Sequence, residues 1–598
     1  MFKFKFRTII FTSLTMSLLA VQIAEAKPRR PAASASARVP AAAPVVLARS
    51  DADLFAATLA GRFAEGTDNP VLAAQAWSRA FLRRPNDGEL FEKAITANLQ
   101  AGDVANAVRL AKLAPVALRT DEAALTLATD AFAQGRYLDV TRILARRTFQ
   151  PSQRIFADHL AAYALLGQGK REEAAELTSR ATGIFVLDRA TLMSRAVVLD
   201  LAGRAPEAGI LFQSAVDSNV HWPIGVRAYG EWLDRHDRKP DAEAMYQRLV
   251  QAGELEASGF AAALVKVKSL RAIPPQPDLR SAAGIGLVTI AQSLAAEGRG
   301  GDPIILLNLI AYLDPRSDGV AVALANQLIT SSRGDVAAPI LSRISVSSAD
   351  YLAARTELVW LVFQDDKAQA VALARETLRA QPTNLASTRL LADVLAANRD
   401  DREAETLYSS LIDASKAAGQ SNEEAWPLYF GRGGTRDRQD NWAGALQDLR
   451  FAKAAAPNQP NVLNYLGYAL ADRGENIDEA LVMLRSAVRL RPRSGAILDS
   501  LGWALFRKGS YEEAVETLEA AVGLAPAAAD ISEHLGDAYW RSGREDEGRM
   551  EWARTLRLET EPAQKASLTV KLRDGLPSDP ASAGRRTLAA QTGATAQR

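Results

Sequence analysis

The sequence predicts an all-α chain: a right-handed superhelical solenoid of about thirteen antiparallel helix pairs. Three observations predict it. Leu-Gly recurs at Leu466-Gly467, Leu501-Gly502 and Leu535-Gly536, in steps of 35 and 34 residues. The glycines Gly474, Gly509 and Gly543 and the prolines Pro457, Pro492 and Pro526 keep the same steps. The composition suits close-packed helices, with 48% hydrophobic residues but only 7% aromatic, and alanine throughout.

Each element follows from the repeat. The glycine of Leu-Gly lets the axis of the first helix approach the second. Ala480, Ala514 and Gly548 stand at the matching place on the second helix, in steps of 34 and 34. The extra residue between Gly474 and Ala480 therefore falls in the inter-helix turn, where an insertion is tolerated. The turn glycine permits φ > 0 at the end of the first helix, and the proline ends the second. Large residues such as Trp77, Phe212, Tyr246, Tyr408, Leu518 and Trp552 fill the space beside the crossing. One pair cannot cover its own apolar faces, so its neighbours must.

The register extends upstream. Gly61, Ala73, Trp77, Ala80 and Pro85 show the spacing of Gly502, Ala514, Leu518, Ala521 and Pro526. Turn glycines follow at Gly102, Gly135, Gly169 and Gly203, and the next step lands on Asp237. The phase then slips to Gly298, across an interval holding Pro274, Pro275 and Pro277. Repeats resume through Gly334, then Leu361, Ala370 and Pro382, with a further insertion around Ser415–Glu424. The reading divides the chain into an N-terminal array at 51–252, an irregular connection at 253–283 and a middle degenerate array at 284–414. A C-terminal array with a capping helix follows at 415–577.

The ends differ. Residues 1–26 read as an export signal: Lys3, Lys5 and Arg7, an uncharged apolar run Thr8–Ile23, then Ala24-Glu25-Ala26 with cleavage expected after Ala26. An uncleaved anchor is the other reading, but the run is short of the ~20 residues of a span. No other stretch is expected to approach membrane length. Residues 27–50 read as a disordered Pro/Ala-rich linker and 578–598 as a disordered tail. The expected location is the periplasm or the exterior.

The pattern Leu498-x-x-Leu501-Gly502-x-x-Leu505, Ala514, Leu518, Ala521, Pro526 resembles a tetratricopeptide repeat (TPR), as does Leu535-Gly536-x-x-Tyr539. Leucine or serine (Leu463, Leu498, Ser532) stands where the family often has Trp, and Ala161-Ala162 and Arg195-Ala196 replace Leu-Gly upstream. The stretches LNYLGYALADRGENIDEA, DSLGWALFRKGSYEEAV and SEHLGDAYWRSG are similar to exported bacterial TPR proteins. One such family is the lipoprotein adaptor of the periplasmic carboxyl-terminal processing protease. Its members anchor through a lipidated cysteine, and this chain has no cysteine, so the anchor does not carry over.

Charge and motifs bound the function. The net charge is +1, with no general attraction to nucleic acid. The absence of cysteine removes disulfides, thiol nucleophiles and Cys-ligated metals. No metalloprotease, nucleophile-elbow or P-loop motif occurs, so no catalytic residue, metal or cofactor is expected. Gly284-x-Gly286 and Gly431-x-Gly433-Gly434 follow no strand and read as helix packing or loop. His534 beside Glu533 reads as structural, since adjacent helical residues point about 100° apart.

The resemblance implies a concave face lined by first helices. Helical spacing from the Leu-Gly pairs aims Asn464, Tyr468, Trp503, Phe506, Arg507, Asp537, Trp540 and Arg541 toward it. Aromatics and arginine are common interface anchors, although Trp503 and Phe506 equally suit packing between repeats. The Lys/Asn/Arg set with which some TPR subtypes clamp a terminal carboxylate is not found. The expectation is a non-catalytic scaffold or adaptor of the bacterial cell envelope, binding a protein or peptide. An envelope protease or a cell-wall enzyme is the candidate partner. A membrane-anchored assembly factor is the alternative, followed by an envelope enzyme with an unrecognised site.

Overall fold

The computed structural model describes residues 49–145, 149–180, 184–218, 222–251, 274–298, 301–559 and 561–577. The export signal, most of the linker, most of the 253–283 connection and the C-terminal tail lie outside the described residues. Thirty α-helices and no strand occur among those described, and the expected all-α solenoid of helix pairs is the fold. The helices form fourteen consecutive pairs, with Phe185–Ala190 and the final Pro562–Asp574 left over. Two compact units result, divided at Ser387/Thr388, inside the Leu385–Asn398 helix.

The crossings are built as the spacing predicts. A Cβ on Gly61 would lie 2.4 Å from the Trp77 ring, and one on Gly502 would lie 2.5 Å from Leu518. Trp77, Tyr246, Tyr408, Phe212 and Trp552 are all fully buried. Gly509 ends its helix with φ 88, and Asp237 takes the same left-handed role with φ 57. At the predicted Ser415–Glu424 insertion, Asp401–Ala417 and Asn422–Arg438 each run to 17 residues. Ser421 and Glu424 open the second with a reciprocal capping box. The extra residues thus lengthen both helices. At Gly334 the turn expectation needs a correction: Ser332 takes the positive φ (58), while Gly334 opens a helix.

After the prolines at 274–277 the chain does something the repeat period does not announce. The Leu279–Ala296 helix packs against Pro151–Gly167, Leu192–Ala202 and Pro223–Arg235, which are first helices of earlier pairs. Pro303–Leu313 packs against two more, Gly88–Ala101 and Asp121–Ala133. Their sequences, LRSAAGIGLVTIAQSLAA and PIILLNLIAYL, offer no continuous polar face, and a helix apolar all round is buried all round. By length and composition Leu279–Ala296 could cross a membrane, contrary to the expectation that no second stretch would, but 61% of it is buried inside the protein. Gly286 sits at a crossing: a Cβ there would meet the Tyr163 hydroxyl at 2.0 Å and Ser194 Oγ at 2.6 Å. The Gly284-x-Gly286 grouping is therefore helix packing.

Replacing Gly502 by Ala is expected to destabilise the C-terminal unit by about 1–3 kcal/mol through overpacking on Leu518. Gly523→Ala, where an added Cβ meets nothing within 4 Å, is expected to stabilise it by about 0.5–1 kcal/mol. Urea unfolding of the two variants checks both signs.

Candidate partner-binding face

The first helices of the last three repeats carry the eight residues singled out in the sequence. Pro460–Arg473 is capped by Gly474 at φ 71 and Gly495–Lys508 by Gly509 at φ 88, so both stop one residue after a basic side chain. Ser494 opens the latter by accepting from the Ile497 N–H.

The structure engages most of the eight in contacts of its own. Asn464 and Tyr468 are buried on Pro460–Arg473, and Asn464 Oδ1 meets no donor among the described residues. Trp503 is also buried; its Nε1 donates to Asp472 Oδ1 at 3.2 Å. Its ring stacks on Phe506 at 5.0 Å and on His534 of the next repeat at 4.3 Å. Trp503 thus packs between repeats, whereas Phe506 meets Trp503 and Tyr511 of its own repeat. Arg507 is exposed, donates to the Asp472 carbonyl at 2.5 Å and lies 5.9 Å from the Trp503 ring.

Asp537, Trp540 and Arg541 are met by the end of the chain. Lys571, on the Pro562–Asp574 helix, donates to both Asp537 oxygens and to Glu533 at 2.7 Å. The Trp552 indole N–H also donates to Asp537, at 2.8 Å. Gly575 lies against the Trp540 ring, and Arg541 donates to the Pro577 carbonyl at 2.5 Å. Of the eight, Arg507 is exposed, Phe506, Trp540 and Arg541 are half-buried, and four are buried. Burial pushes the Asp537 carboxyl up, with Lys571 opposing. Burial would lower the Lys571 ammonium, but Asp537 and Glu533 together hold it above its usual value.

A ladder of polar pairs, missed in the sequence, joins successive repeats. Arg438 pairs with Asp401. Arg473 and Tyr465 both donate to Asp437, at 2.5 and 2.9 Å. Arg507 and Trp503 meet Asp472. His534 Nδ1 lies 2.9 Å from Asp499 Oδ1, and Lys571 closes the series on Glu533 and Asp537. Each rung spans about one repeat, so an acid followed a repeat later by a base was the available signal. Burial would lower the His534 pKa, but Asp499, with Asp530 and Glu533, outweighs it and raises it to about 9.

The N-terminal unit holds the contrary histidine. His159 Nδ1 shares a hydrogen bond with Ser194 Oγ at 2.8 Å, and burial, aided by Arg195, pushes its pKa down to about 3. Among the described residues no group of acids and histidines could hold a metal ion.

With this geometry in place, the comparisons give the class. The tetratricopeptide-repeat family model matches residues 159–219, 467–528 and 500–564. Over those stretches the chain carries tetratricopeptide repeats. Solved structures share low identity with it. The APC/C hetero-tetramer Cut9–Hcn1 is 15% identical, covering 89% of this chain and 97% of that one, with a TM-score of 0.38. Yeast Tom70 is 13% identical, covering 90% and 100%, with a TM-score of 0.32. A tetratricopeptide repeat protein from Parabacteroides merdae is 14% identical, covering 43% and 97%, with a TM-score of 0.34. No curated protein matches. None of these findings bears on the likeness to a protease adaptor.

The two buried histidines predict opposite pH limits. His534, raised from 6.5 to about 9, contributes stability that is complete below 6.5 and lost as pH rises toward 9. His159, lowered from 6.5 to about 3, contributes stability present above 6.5 and lost as pH falls toward 3. His534→Gln and His159→Gln are each expected to flatten one limb of the stability–pH curve, read by urea unfolding from pH 4 to 9. Lys571→Ala leaves Glu533 and Asp537 buried without their cation. It is expected to cost about 3–5 kcal/mol, seen as faster amide exchange in Ala529–Leu558.

Proposed function

We propose that this protein is a non-catalytic scaffold or adaptor of the bacterial cell envelope that binds a protein or peptide through its tetratricopeptide repeats. The carrying observation is the family match over three stretches, two of them overlapping the C-terminal repeats. Repeats of this kind present extended surfaces rather than reaction centres. Export rests on Lys3, Lys5 and Arg7, the apolar Thr8–Ile23 run and Ala24-Glu25-Ala26. The half-buried and exposed members of the set, Phe506, Arg507, Trp540 and Arg541, are the contact residues of this reading. An envelope protease or a cell-wall enzyme is the partner class it favours.

Crosslinking in intact cells, followed by recovery of the chain, is expected to yield one specific envelope protein. Arg507→Glu is expected to reduce that recovery about tenfold, the size of a 1.4 kcal/mol contact. Equal recovery with the variant removes the assigned face, and recovery of no specific protein removes the scaffold reading. A mature N-terminus at Lys27 is expected; a retained Met1 favours the membrane-anchored assembly factor instead.

A further inference from the structure

We infer that the helices Leu279–Ala296 and Pro303–Leu313 together form a built-in ligand of the N-terminal unit. Seated on the inner face, it excludes an outside partner, and that face, once vacated, takes an apolar helix of the same chemistry. The inference concerns one unit alone, and a failed search for an envelope partner leaves it standing.

Position is the first support. In a simple stack each pair touches its neighbours. Here two helices touch the first helices of five earlier pairs, from Gly88–Ala101 to Pro223–Arg235. First helices line the inner face of such an array, so the segment occupies the surface on which partners of an open array would sit.

The tethers are the second. The last carbonyls of a helix have no partner within it. Arg280 donates to the Ala133 carbonyl at 2.5 Å, at the end of Asp121–Ala133. Asn308 donates to Leu99 O at 2.8 Å, and Arg333, from beyond the segment at the start of Gly334–Ser342, donates to Gln100 O at 2.9 Å, both in the last turn of Gly88–Ala101. Two of these donors are cationic and face the negative ends of helix dipoles. Tyr312 adds a bond to Asp130 at 3.0 Å, and Trp222 one to Ser293 at 3.1 Å.

The third is fit. Gly286 is the one residue type that clears Tyr163 and Ser194 at the crossing. Around it Leu287, Val288, Ile290 and Ala291 are fully buried, as are Leu307, Leu309 and Ile310 on the second helix. The receiving surface accordingly selects an apolar helix with a small residue at its midpoint.

The test uses the full chain and a fluorescent synthetic peptide of residues 279–313. Wild type is expected not to bind it, because its own copy is seated. Gly286→Leu, and separately the triple variant Arg280→Ala/Asn308→Ala/Arg333→Ala, are expected to bind it at least tenfold more tightly than wild type. In both variants the amides of Gly88–Ala101, Asp121–Ala133 and Pro151–Gly167 are expected to exchange faster together. Peptide binding by wild type equal to that of the variants overturns the inference. So does unchanged exchange in the triple variant, which retains Gly286 and serves if Gly286→Leu fails to fold.

Discussion

A pair of short helices cannot bury its own apolar flanks, and almost every feature of this protein answers that constraint. In several pairs the crossing is closed by putting no side chain on one helix and a large one on the other, as at Gly502 and Leu518 or Gly61 and Trp77. Between pairs, neighbours cover one another. At the C-terminal end Pro562–Asp574 does the covering, and on the inner side of the N-terminal unit Leu279–Leu313 does. At the N-terminal edge no described residue does the covering. Phe55, Leu59 and Phe63 form one exposed stripe at intervals of four residues along the first described helix.

The repeat was legible because its signal is short-range and periodic. Gly467, Gly502 and Gly536 lie at fixed steps, and a two-helix unit is written within 34 residues. Asp237 could be placed in a turn from step counting alone, and it has the left-handed backbone the position needs. The seating of Leu279–Leu313 was illegible for the opposite reason. Its partners lie up to about two hundred residues away, as with Asn308 and Leu99, and nothing in a local period encodes such a contact. Its phase slip and prolines did mark the place where stacking stops. The contacts that occupy the candidate face were not legible. Helical spacing put Asp537 and Trp540 on a common side, but could not reveal that Lys571 and Gly575 would meet them there.

Charge does a different job from apolar contact in the C-terminal unit. The pairs Arg438–Asp401, Arg473–Asp437, Arg507–Asp472 and His534–Asp499 each bridge one repeat to the next. The buried members of the series add little net stability over apolar replacements, because desolvation offsets attraction. Their effect is on register. Sliding one repeat past its neighbour would strand Asp437 or Asp499, each at most 1% exposed, away from its cation or imidazole. Alanine-rich helices fit together in several ways, and the ladder leaves one.

The long-range seating also governs the order in which the N-terminal unit can assemble. A simple array can fold behind the ribosome, each pair closing on the last. Here the helices from Gly88 to Arg235 complete their surroundings only when residues 279–313 have been made. Until then an oily trough stays open along the nascent chain. Contacts at such separation raise contact order and slow folding, and exposed apolar surface during that wait calls for a chaperone.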